Sequence, residues 1–382
     1  MYNKDHFLFP DNYAWTLSAM SSLNWAGTFH EVFPLCQSLQ EASTKGDREA
    51  WHDGWNGLAK RVLSLAEEYE EQKRYFSAGE TYNRASAYFF SGERLLKAKS
   101  EERVAMVKKS HDAFQKYIKY RKPPMEWVSF PYEDTYLNGY FIPAIGVDGP
   151  TPCVVYMGGL DTSTEWLASL AVGLDMRGMS CLAVDGPGWG MALKVRGLTT
   201  RYDYEVVGRA AVDYLETRQD VDSKRLGIVA LSLGGYYAPR VAAFEKRFKA
   251  GATLGACWDA QDVFRKLLGK GHDPSQPVSS DKSQAPWVYG VDTVGEALEA
   301  MENFKLEGVA QKITIPFLVV HGEHDIQVPL WHAEKTYEAL GSKDKRLKIY
   351  YIDGGIGGFE HCQWDNQILG KQEIYDFFIE TL

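Results

Sequence analysis

The spacing of apolar residues divides the chain into a helical N-terminal part and a longer part in which strands and helices alternate. Within residues 1–122, apolar side chains recur three or four positions apart with charged residues between them, which predicts amphipathic helices. The clearest of these runs are residues 47–73, 77–97 and 101–120. Pro123-Pro124 ends the pattern because proline interrupts a helix. We predict a helical domain over residues 1–122 that acts as a lid, as a dimer interface, or as both.

Residues 123–382 carry the pattern of a sheet covered by helices. Two antiparallel strands are predicted at residues 126–132 and 135–142. Continuously apolar runs then predict buried strands at residues 153–157, 180–184, 225–231, 250–256, 315–321 and 347–352. Helical patterns lie at residues 162–177, 204–217, 235–248, 331–340 and 372–382. This alternation is typical of a mostly parallel sheet with helices on both faces. Residues 258–311 interrupt it with a polar, proline-containing loop, and we predict a lid insertion there.

Composition and charge narrow the class of protein. Apolar residues make up 45% of the chain, and the formal net charge is −9 without a long basic run, which argues against binding to nucleic acid. No apolar stretch is long enough to predict a membrane span. The five scattered cysteines predict reduced thiols and a cytoplasmic protein. His321 and His324 have a metal-like spacing, but no third ligand is obvious, so we expect no metal and no cofactor.

The strongest candidate for catalytic chemistry is a serine between a strand and a helix. The predicted strand 225–231 runs into Ala230-Leu-Ser232-Leu-Gly234, and a helical pattern follows. A sharp turn that exposes the serine hydroxyl leaves little room for side chains two positions away on either side, and small residues stand there, with Ala230 in place of the usual glycine. We predict that Ser232 is the nucleophile of an α/β-hydrolase.

A serine hydroxyl needs a base, and the base needs an orienting acid. In this fold the acid and then the histidine follow the serine along the chain. Asp325 comes directly after the buried strand 315–321, and His361 follows the next strand through the glycine-rich loop 354–358. We therefore predict a triad of Ser232, Asp325 and His361.

The negative oxygen that forms during acyl transfer requires two backbone N–H donors. One is predicted to be the amide of Leu233, directly after the nucleophile. The other is expected in the loop after strand 153–157, from Gly159 or Leu160. Further along this loop, Thr162 and Glu165 have the spacing of a helix capping box.

Aromatic and acidic residues near the predicted site are candidates for substrate binding. These candidates are Asp161, Trp189, Tyr236, Trp258, Asp259 and Trp287. Large rings could line a pocket for a flat ligand, although ordinary core packing explains each ring equally well. Asp161 or Asp259 could also protonate a leaving group, and a helix N-cap is an alternative role for Asp259.

Four motifs together resemble a known family. Gly158-Gly-Leu-Asp-Thr-Ser-Thr-Glu165, Asp185-Gly-Pro-Gly-Trp-Gly190, the Ser232 turn and His321-Gly-Glu-His-Asp325 resemble the FrsA-like esterase and hydrolase group of α/β-hydrolases. Within this group the chain is similar to 2,6-dihydroxypseudooxynicotine hydrolase and to fungal hydrolases that shorten polyketides in pigment pathways. The resemblance implies an N-terminal helical domain, a homodimer, and cleavage of a carbon–carbon bond next to a ketone in a small-molecule substrate of secondary metabolism.

Three other activities remain open on the same scaffold. A carboxylesterase would cleave an ester, and a thioesterase would release a polyketide from its thioester. A cyclase would bind a polyketide without forming a covalent bond. The complete triad argues against the cyclase.

Overall fold

The computed structural model describes residues 8–269 and 281–382, and the chain forms two compact units. One unit consists of Met1–Met125 together with Leu267–Trp287, and the other consists of Glu126–Lys266 together with Val288–Leu382. The first unit therefore contains a stretch of chain that lies inside the insertion predicted at residues 258–311.

The N-terminal unit is helical, as predicted. Its helices are α1 (Tyr13–Trp25), α2 (Phe29–Ser38), α3 (Gln40–Lys45), α4 (Arg48–Glu71), α5 (Tyr75–Glu93) and α6 (Glu101–Tyr120). Its core contains the fully buried rings of Trp15, Trp51 and Trp55. The ring centroids of Trp15 and Trp51 are 4.8 Å apart, and those of Trp51 and Trp55 are 5.3 Å apart. Packing among helices thus explains these aromatic residues of the N-terminal sequence.

A buried arginine joins residues 267–287 to the N-terminal helices. Arg103 donates from Nε to the carboxylate of Glu93 at 2.6 Å, and both side chains are almost completely buried. The same guanidinium donates to Oε1 of Gln284 at 2.7 Å and lies 5.3 Å from the ring centroid of Trp287. The ion pair with Glu93 fixes the guanidinium of Arg103, and a hydrogen bond and a cation–π contact from that guanidinium hold residues 267–287 in the helical unit.

The second unit is built on one sheet of eight strands. The strands are β1 (Glu126–Tyr132), β2 (Thr135–Ile142), β3 (Thr151–Met157), β4 (Ser180–Asp185), β5 (Val221–Leu231), β6 (Phe248–Leu254), β7 (Phe317–Gly322) and β8 (Lys345–Tyr350). Their order is β1-β2-β4-β3-β5-β6-β7-β8. Pairings of β2 with β1 and β4 are antiparallel, and the other pairings are parallel. The predicted mostly parallel sheet is confirmed, and β5 lies near its centre.

Helices follow most of the strands. They are α7 (Thr164–Ala171), α8 (Gly190–Lys194), α9 (Glu205–Leu215), α10 (Gly234–Phe244), α11 (Ala260–Gly269), α12 (Gln284–Tyr289), α13 (Val294–Ala300), α14 (Trp331–Ala339) and α15 (Gln367–Thr381). Short 3₁₀ turns lie at Asp175–Arg177, Met301–Asn303, Ala310–Lys312, Ile352–Gly354 and His361–Gln363. In the part of the chain that the structure describes, no helix is both long and apolar enough to cross a bilayer.

Several helix boundaries differ from the prediction, and two of the differences have clear causes in the backbone. We predicted a helix over residues 235–248, but α10 ends at Phe244 because Glu245 has an extended backbone and Phe248 already begins β6. The helix predicted at residues 162–177 is divided into α7 and a 3₁₀ turn. Gly173 lies between them with a φ of +115°, which a right-handed helix does not accommodate.

Candidate active site

The central strand β5 ends in a strained turn at Ser232. The φ of Ser232 is +61°, a left-handed conformation that is uncommon for a residue other than glycine. The amide of Ser232 donates to the carbonyl of Leu254 at 2.9 Å, and its carbonyl accepts from the amide of Gly235 at 2.7 Å. These bonds hold the serine at the carboxyl edge of the sheet, between β5 and α10. The geometry is that of a nucleophile elbow.

Small residues around Ser232 are required by close contacts between backbones. A Cβ atom on Gly234 would lie 2.6 Å from the carbonyl oxygen of Gly158 and 2.7 Å from the Cβ of Ala230. A Cβ atom on Gly235 would overlap the carbonyl oxygen of Gly255. The predicted reason for small residues at 230 and 234 therefore holds, and an alanine at 230 fits because Gly234 gives it room.

Asp325, His361 and Ser232 form a continuous chain of hydrogen bonds. Nδ1 of His361 lies 2.6 Å from Oδ2 of Asp325, and Nε2 of His361 lies 2.9 Å from the hydroxyl oxygen of Ser232. The other carboxylate oxygen of Asp325 accepts from the amides of Gln327 and Val328 at 2.9 and 2.8 Å. The structure thus brings together the three residues that were predicted as a triad.

Electrostatics favours an ionised Asp325 and a basic His361. Burial disfavours the charged form of both groups, but their mutual attraction outweighs it. The pKa of Asp325 consequently lies below its ordinary value, and the pKa of His361 lies well above its ordinary value. The carboxylate accepts a hydrogen bond from Nδ1–H, which leaves the lone pair of Nε2 facing the Ser232 hydroxyl.

The loop that carries His361 is held by a carboxylate that the sequence did not reveal. Asp365 accepts backbone N–H bonds from Gly358 at 2.6 Å, from Phe359 at 3.3 Å and from Glu360 at 3.1 Å. An aspartate a few residues after a glycine-rich loop was the available signal. It carries little information, because turns commonly contain aspartate.

Residues 158–162, between β3 and α7, form the loop in which the second oxyanion donor was predicted, and we call it the oxyanion loop. One of its backbone amides already donates a hydrogen bond within the loop. The N–H of Gly159 donates to Oγ1 of Thr162 at 2.8 Å. A Cβ atom on Gly159 would lie 2.7 Å from the Cβ of Ser232, so this loop packs directly on the nucleophile turn. Of the two predicted donors, Gly159 is therefore committed within the loop, and Leu160 is the better candidate beside Leu233.

The predicted capping box was wrong. Helix α7 is capped by Ser163, whose hydroxyl accepts from the amide of Trp166 at 3.1 Å. Thr162 lies one residue before this cap, and its hydroxyl accepts from the amide of Gly159 instead. Glu165 is buried and accepts from the hydroxyl of Tyr140 at 3.1 Å instead of capping the helix.

Two of the predicted pocket aromatics are fully buried with their polar atoms engaged. The indole N–H of Trp189 donates to the hydroxyl of Tyr204 at 3.0 Å, and a Cβ atom on Gly158 would lie 2.9 Å from the Trp189 ring. The hydroxyl of Tyr236 donates to the carbonyl of Tyr202 at 2.7 Å. Trp189 thus packs against the loop that contains Gly158, and Tyr236, within α10, packs on Phe304 with ring centroids 5.2 Å apart.

Asp259 lies at the start of α11, where its contacts are those of a helix N-cap, the alternative role predicted from the sequence. Its carboxylate accepts from the amide of Asp262 at 3.1 Å at the start of α11 and lies 3.6 Å from Nζ of Lys305. Beside it, Trp258 is buried, and its amide donates to Nδ1 of His332 at 3.2 Å. These contacts favour helix capping over proton donation for Asp259.

Asp161 and Trp287 complete the predicted set. Asp161 is half-buried and directly follows Leu160 in the oxyanion loop. Trp287 belongs to the helical unit, where its ring packs against Arg103.

The side chain of His321 is buried, and both of its ring nitrogens form hydrogen bonds. Its Nδ1 accepts from the amide of Ala256 at 3.2 Å, and its Nε2 donates to the carbonyl of Val328 at 2.9 Å. Burial lowers the pKa of His321, in keeping with a neutral imidazole. Among residues 8–269 and 281–382, no three His, Cys, Asp or Glu side chains are grouped to hold a metal ion.

Comparison with known proteins shows the family to which this chain belongs. The family model for esterase FrsA-like proteins matches residues 49–266, which is more than half of the chain. The chain belongs to the FrsA-like esterase family. A model of the prolyl oligopeptidase family matches residues 208–382 of this FrsA-like chain, a range that includes Ser232, Asp325 and His361. The predicted resemblance is confirmed.

Relatives of this FrsA-like chain are named as hydrolases. The hydrolase acrC of Aspergillus aculeatus is 26% identical over 374 residues, covering 85% of this chain and 86% of that protein. The 20-hydroxy-prefusarin hydrolase FUS2 of Gibberella moniliformis is 28% identical over 351 residues, covering 82% and 83%. The crystal structure of the 2,6-dihydroxy-pseudo-oxynicotine hydrolase has a TM-score of 0.78 and 24% identity, covering 96% and 95%. The chain is a hydrolase with the α/β-hydrolase fold.

Proposed function

We propose that Ser232 is the nucleophile, His361 the general base and Asp325 the orienting acid of a serine hydrolase. The observation that carries the proposal is the pair of distances of 2.9 Å and 2.6 Å that links the three side chains in order. The amides of Leu233 and Leu160 are proposed as donors to the oxyanion.

The proposed reaction has two halves, acylation of Ser232 and hydrolysis of the acyl-enzyme. The Ser232 oxygen attacks a carbonyl carbon while its proton passes to Nε2 of His361. The carboxylate of Asp325 stabilises the imidazolium, and the carbonyl oxygen becomes the oxyanion. Collapse of this intermediate breaks the bond to the leaving group, which takes the proton from His361. Water, activated by the same imidazole, then hydrolyses the acyl-enzyme.

We propose further that the broken bond is a carbon–carbon bond next to a ketone, in a polyketide or a 1,3-diketone-like aromatic compound. A carbon leaving group departs as a carbanion, which is accessible only if a second carbonyl stabilises it as an enolate. A 1,3-dicarbonyl unit meets that need. The sequence motifs that resemble polyketide-shortening hydrolases support this class, as does the similarity to a protein named for 20-hydroxy-prefusarin.

Ester hydrolysis is the second candidate. The family whose model matches this chain is described as an esterase family. An alkoxide or thiolate leaves more easily than a carbanion, so the same triad would cleave an ester or a polyketide thioester without an enolate.

Mass spectrometry of reaction products separates these candidates. Wild type and Ser232→Ala are incubated with a panel of aromatic polyketides, 1,3-diketones and p-nitrophenyl esters, with Ser163→Ala as a matched serine control. We expect wild type and Ser163→Ala, but not Ser232→Ala, to remove an acyl unit from a diketone. Turnover of esters alone would move the function to the esterase. Full activity of Ser232→Ala would indicate non-covalent chemistry and contradict the mechanism.

A further inference from the structure

The loops that carry Asp325 and His361 are joined by a second pair of side chains. Nδ1 of His324 lies 3.1 Å from Oε1 of Glu360, so the residue before one triad member contacts the residue before the other. We propose that His324 and Glu360 form a positioning pair that fixes the separation of Asp325 and His361. The proposal rests on the proposed triad.

The backbones of these two loops are also in close contact. The amide of His324 donates to the carbonyl of Phe359 at 2.8 Å. A Cβ atom on Gly322 would overlap the carbonyl oxygens of Phe359 and Glu360. The side-chain pair therefore forms where the loops already touch, and a change at either side chain is transmitted to the neighbouring triad residue.

Because Glu360 is buried, its carboxylate depends on the hydrogen bond from His324. The Glu360 side chain is 1% exposed, and the His324 side chain is 38% exposed. A carboxylate with so little access to water depends on nearby hydrogen-bond donors. The hydrogen bond to Glu360 raises the pKa of His324 against the effect of burial, and the charges of Asp325 and Glu323 act in the same direction.

Glu360 is fixed at its backbone as well as at its side chain. Its amide donates to Oδ1 of Asp365 at 3.1 Å, and its carboxylate meets His324. His361 is the next residue, with its imidazole 2.6 Å from Asp325. Loss of the Glu360 carboxylate would leave one of these two constraints and allow the His361 loop to move away from Asp325.

The positioning role predicts a change in basicity that loss of stability alone does not produce. The Asp325 carboxylate is what raises the pKa of His361 against burial. If the pair fails and the distance from His361 to Asp325 grows, the pKa of His361 falls. The serine then reacts more slowly, and the pH at which it becomes reactive moves downward.

Labelling with a fluorophosphonate measures both effects without a known substrate. The Ser232 oxygen bonds to phosphorus, the phosphorus–fluorine bond breaks, fluoride leaves, and the serine proton passes through His361 to water. Rate constants are measured between pH 5 and pH 10 for wild type, Glu360→Gln, Glu360→Met, His324→Ala and Glu360→Met/His324→Ala.

We expect Glu360→Met to react at least about 10-fold more slowly, since a misplacement of about 1 Å costs about 100-fold. Its pH midpoint should fall. Glu360→Gln should keep most of the rate, because an amide oxygen still accepts from Nδ1–H of His324. The double variant should be no slower than the slower single variant, because both substitutions remove one interaction.

Glu323→Gln is the matched control. This exposed carboxylate lies two residues from Asp325 and accepts from the amide of Ile352 at 3.0 Å. Removing its charge should leave the rate and the midpoint of labelling unchanged, because the hydrogen bond between His324 and Glu360 remains. Folding of each variant is checked by thermal melting. If Glu360→Met does not fold, His324→Ala tests the inference alone. The His324 side chain is partly exposed, so we expect this variant to fold.

Two results would overturn the inference while leaving the triad intact. One is a folded Glu360→Met or His324→Ala protein with the wild-type rate and midpoint. The other is a double variant whose loss of rate is the product of the two single losses. Absence of labelling in wild type at every pH contradicts the proposed nucleophile instead, and the positioning pair falls with it.

Discussion

Asp325 lies among hydrogen-bond donors in a site from which water is largely excluded. The amides of Gln327 and Val328 bind one of its oxygens, and His361 binds the other. The two amides hold the carboxylate in place whether or not the imidazole is charged. The basicity of His361 therefore depends on a charge whose position is set by the backbone.

Replacing Asp325 with asparagine tests the charge at nearly constant shape. We expect kcat/KM to fall by about 10⁴-fold, because an amide neither stabilises the imidazolium nor fixes the reactive tautomer. His361 is reactive when neutral, so activity rises with pH through its pKa, which Asp325 raises. In Asp325→Asn that pKa falls, and the midpoint of the pH profile should move to lower pH. Asp259→Asn, at the cap of α11, is the control and should keep the wild-type midpoint.

Thr162 and Ser163 are adjacent hydroxyl residues, and we expect their substitution to have similar effects on stability but different effects on kcat. Each accepts one backbone N–H, from Gly159 at 2.8 Å and from Trp166 at 3.1 Å. Thr162→Val and Ser163→Ala should each cost about 1 kcal/mol of unfolding free energy. Only Thr162→Val frees an amide next to Ser232, so we expect it alone to lower kcat. Equal kcat losses in the two variants, measured beside urea denaturation, would argue against a role for this bond.

At the scale of elements, the turn between β5 and α10 depends on the absence of a side chain. Gly234→Ala places a methyl group within 2.6 Å of the Gly158 carbonyl and 2.7 Å of Ala230. We expect a loss of about 1–3 kcal/mol in stability and a larger loss of activity, because the turn and the oxyanion loop must separate. Gly57→Ala, on α4, meets only the flexible end of Arg61 and should be neutral or stabilising. Denaturation and labelling rates check both variants.

Elements defined by apolar runs were predictable, and their ends were less so. Strands β1 and β2 have the predicted bounds, because two charged residues, Glu133 and Asp134, mark the turn that separates them. The last helix begins at Gln367 and not at residue 372, and α7 is capped by Ser163, because helix ends depend on individual side-chain contacts.

The same distinction applies to the site. Ser232, Asp325 and His361 could be predicted because fold topology orders them along the chain. The contact of His324 with Glu360 joins residues far apart in sequence. A histidine and a glutamate are common at exposed turns, so the sequence alone does not predict that these two side chains meet. The substrate-binding residues were not resolvable for a related reason: buried tryptophans look alike in sequence whether they pack a core or face a ligand.

At the scale of the whole molecule, Arg103 connects stretches of sequence that are far apart. Arg103→Met removes the guanidinium that pairs with the buried carboxylate of Glu93, and breaking a buried ion pair in this way costs about 3–5 kcal/mol. We expect a clear fall in unfolding free energy, measured by urea denaturation. Lys45→Met removes the exposed pair with Glu41 and should leave the denaturation curve unchanged. A double variant, Arg103→Met/Glu93→Met, should recover part of the loss.

The chain passes between the two compact units three times, after Met125, after Lys266 and after Trp287. A recombination event with a single breakpoint near residue 125 would therefore not transfer a complete helical unit. It would leave Gln284 and Trp287 encoded with the other parent, paired with helices that had not been selected to bury them. Shuffling of homologous genes should recover viable hybrids mainly when residues 267–287 and residues 1–125 come from the same parent. We therefore expect residues 267–287 to be inherited together with a region of the gene that they do not adjoin.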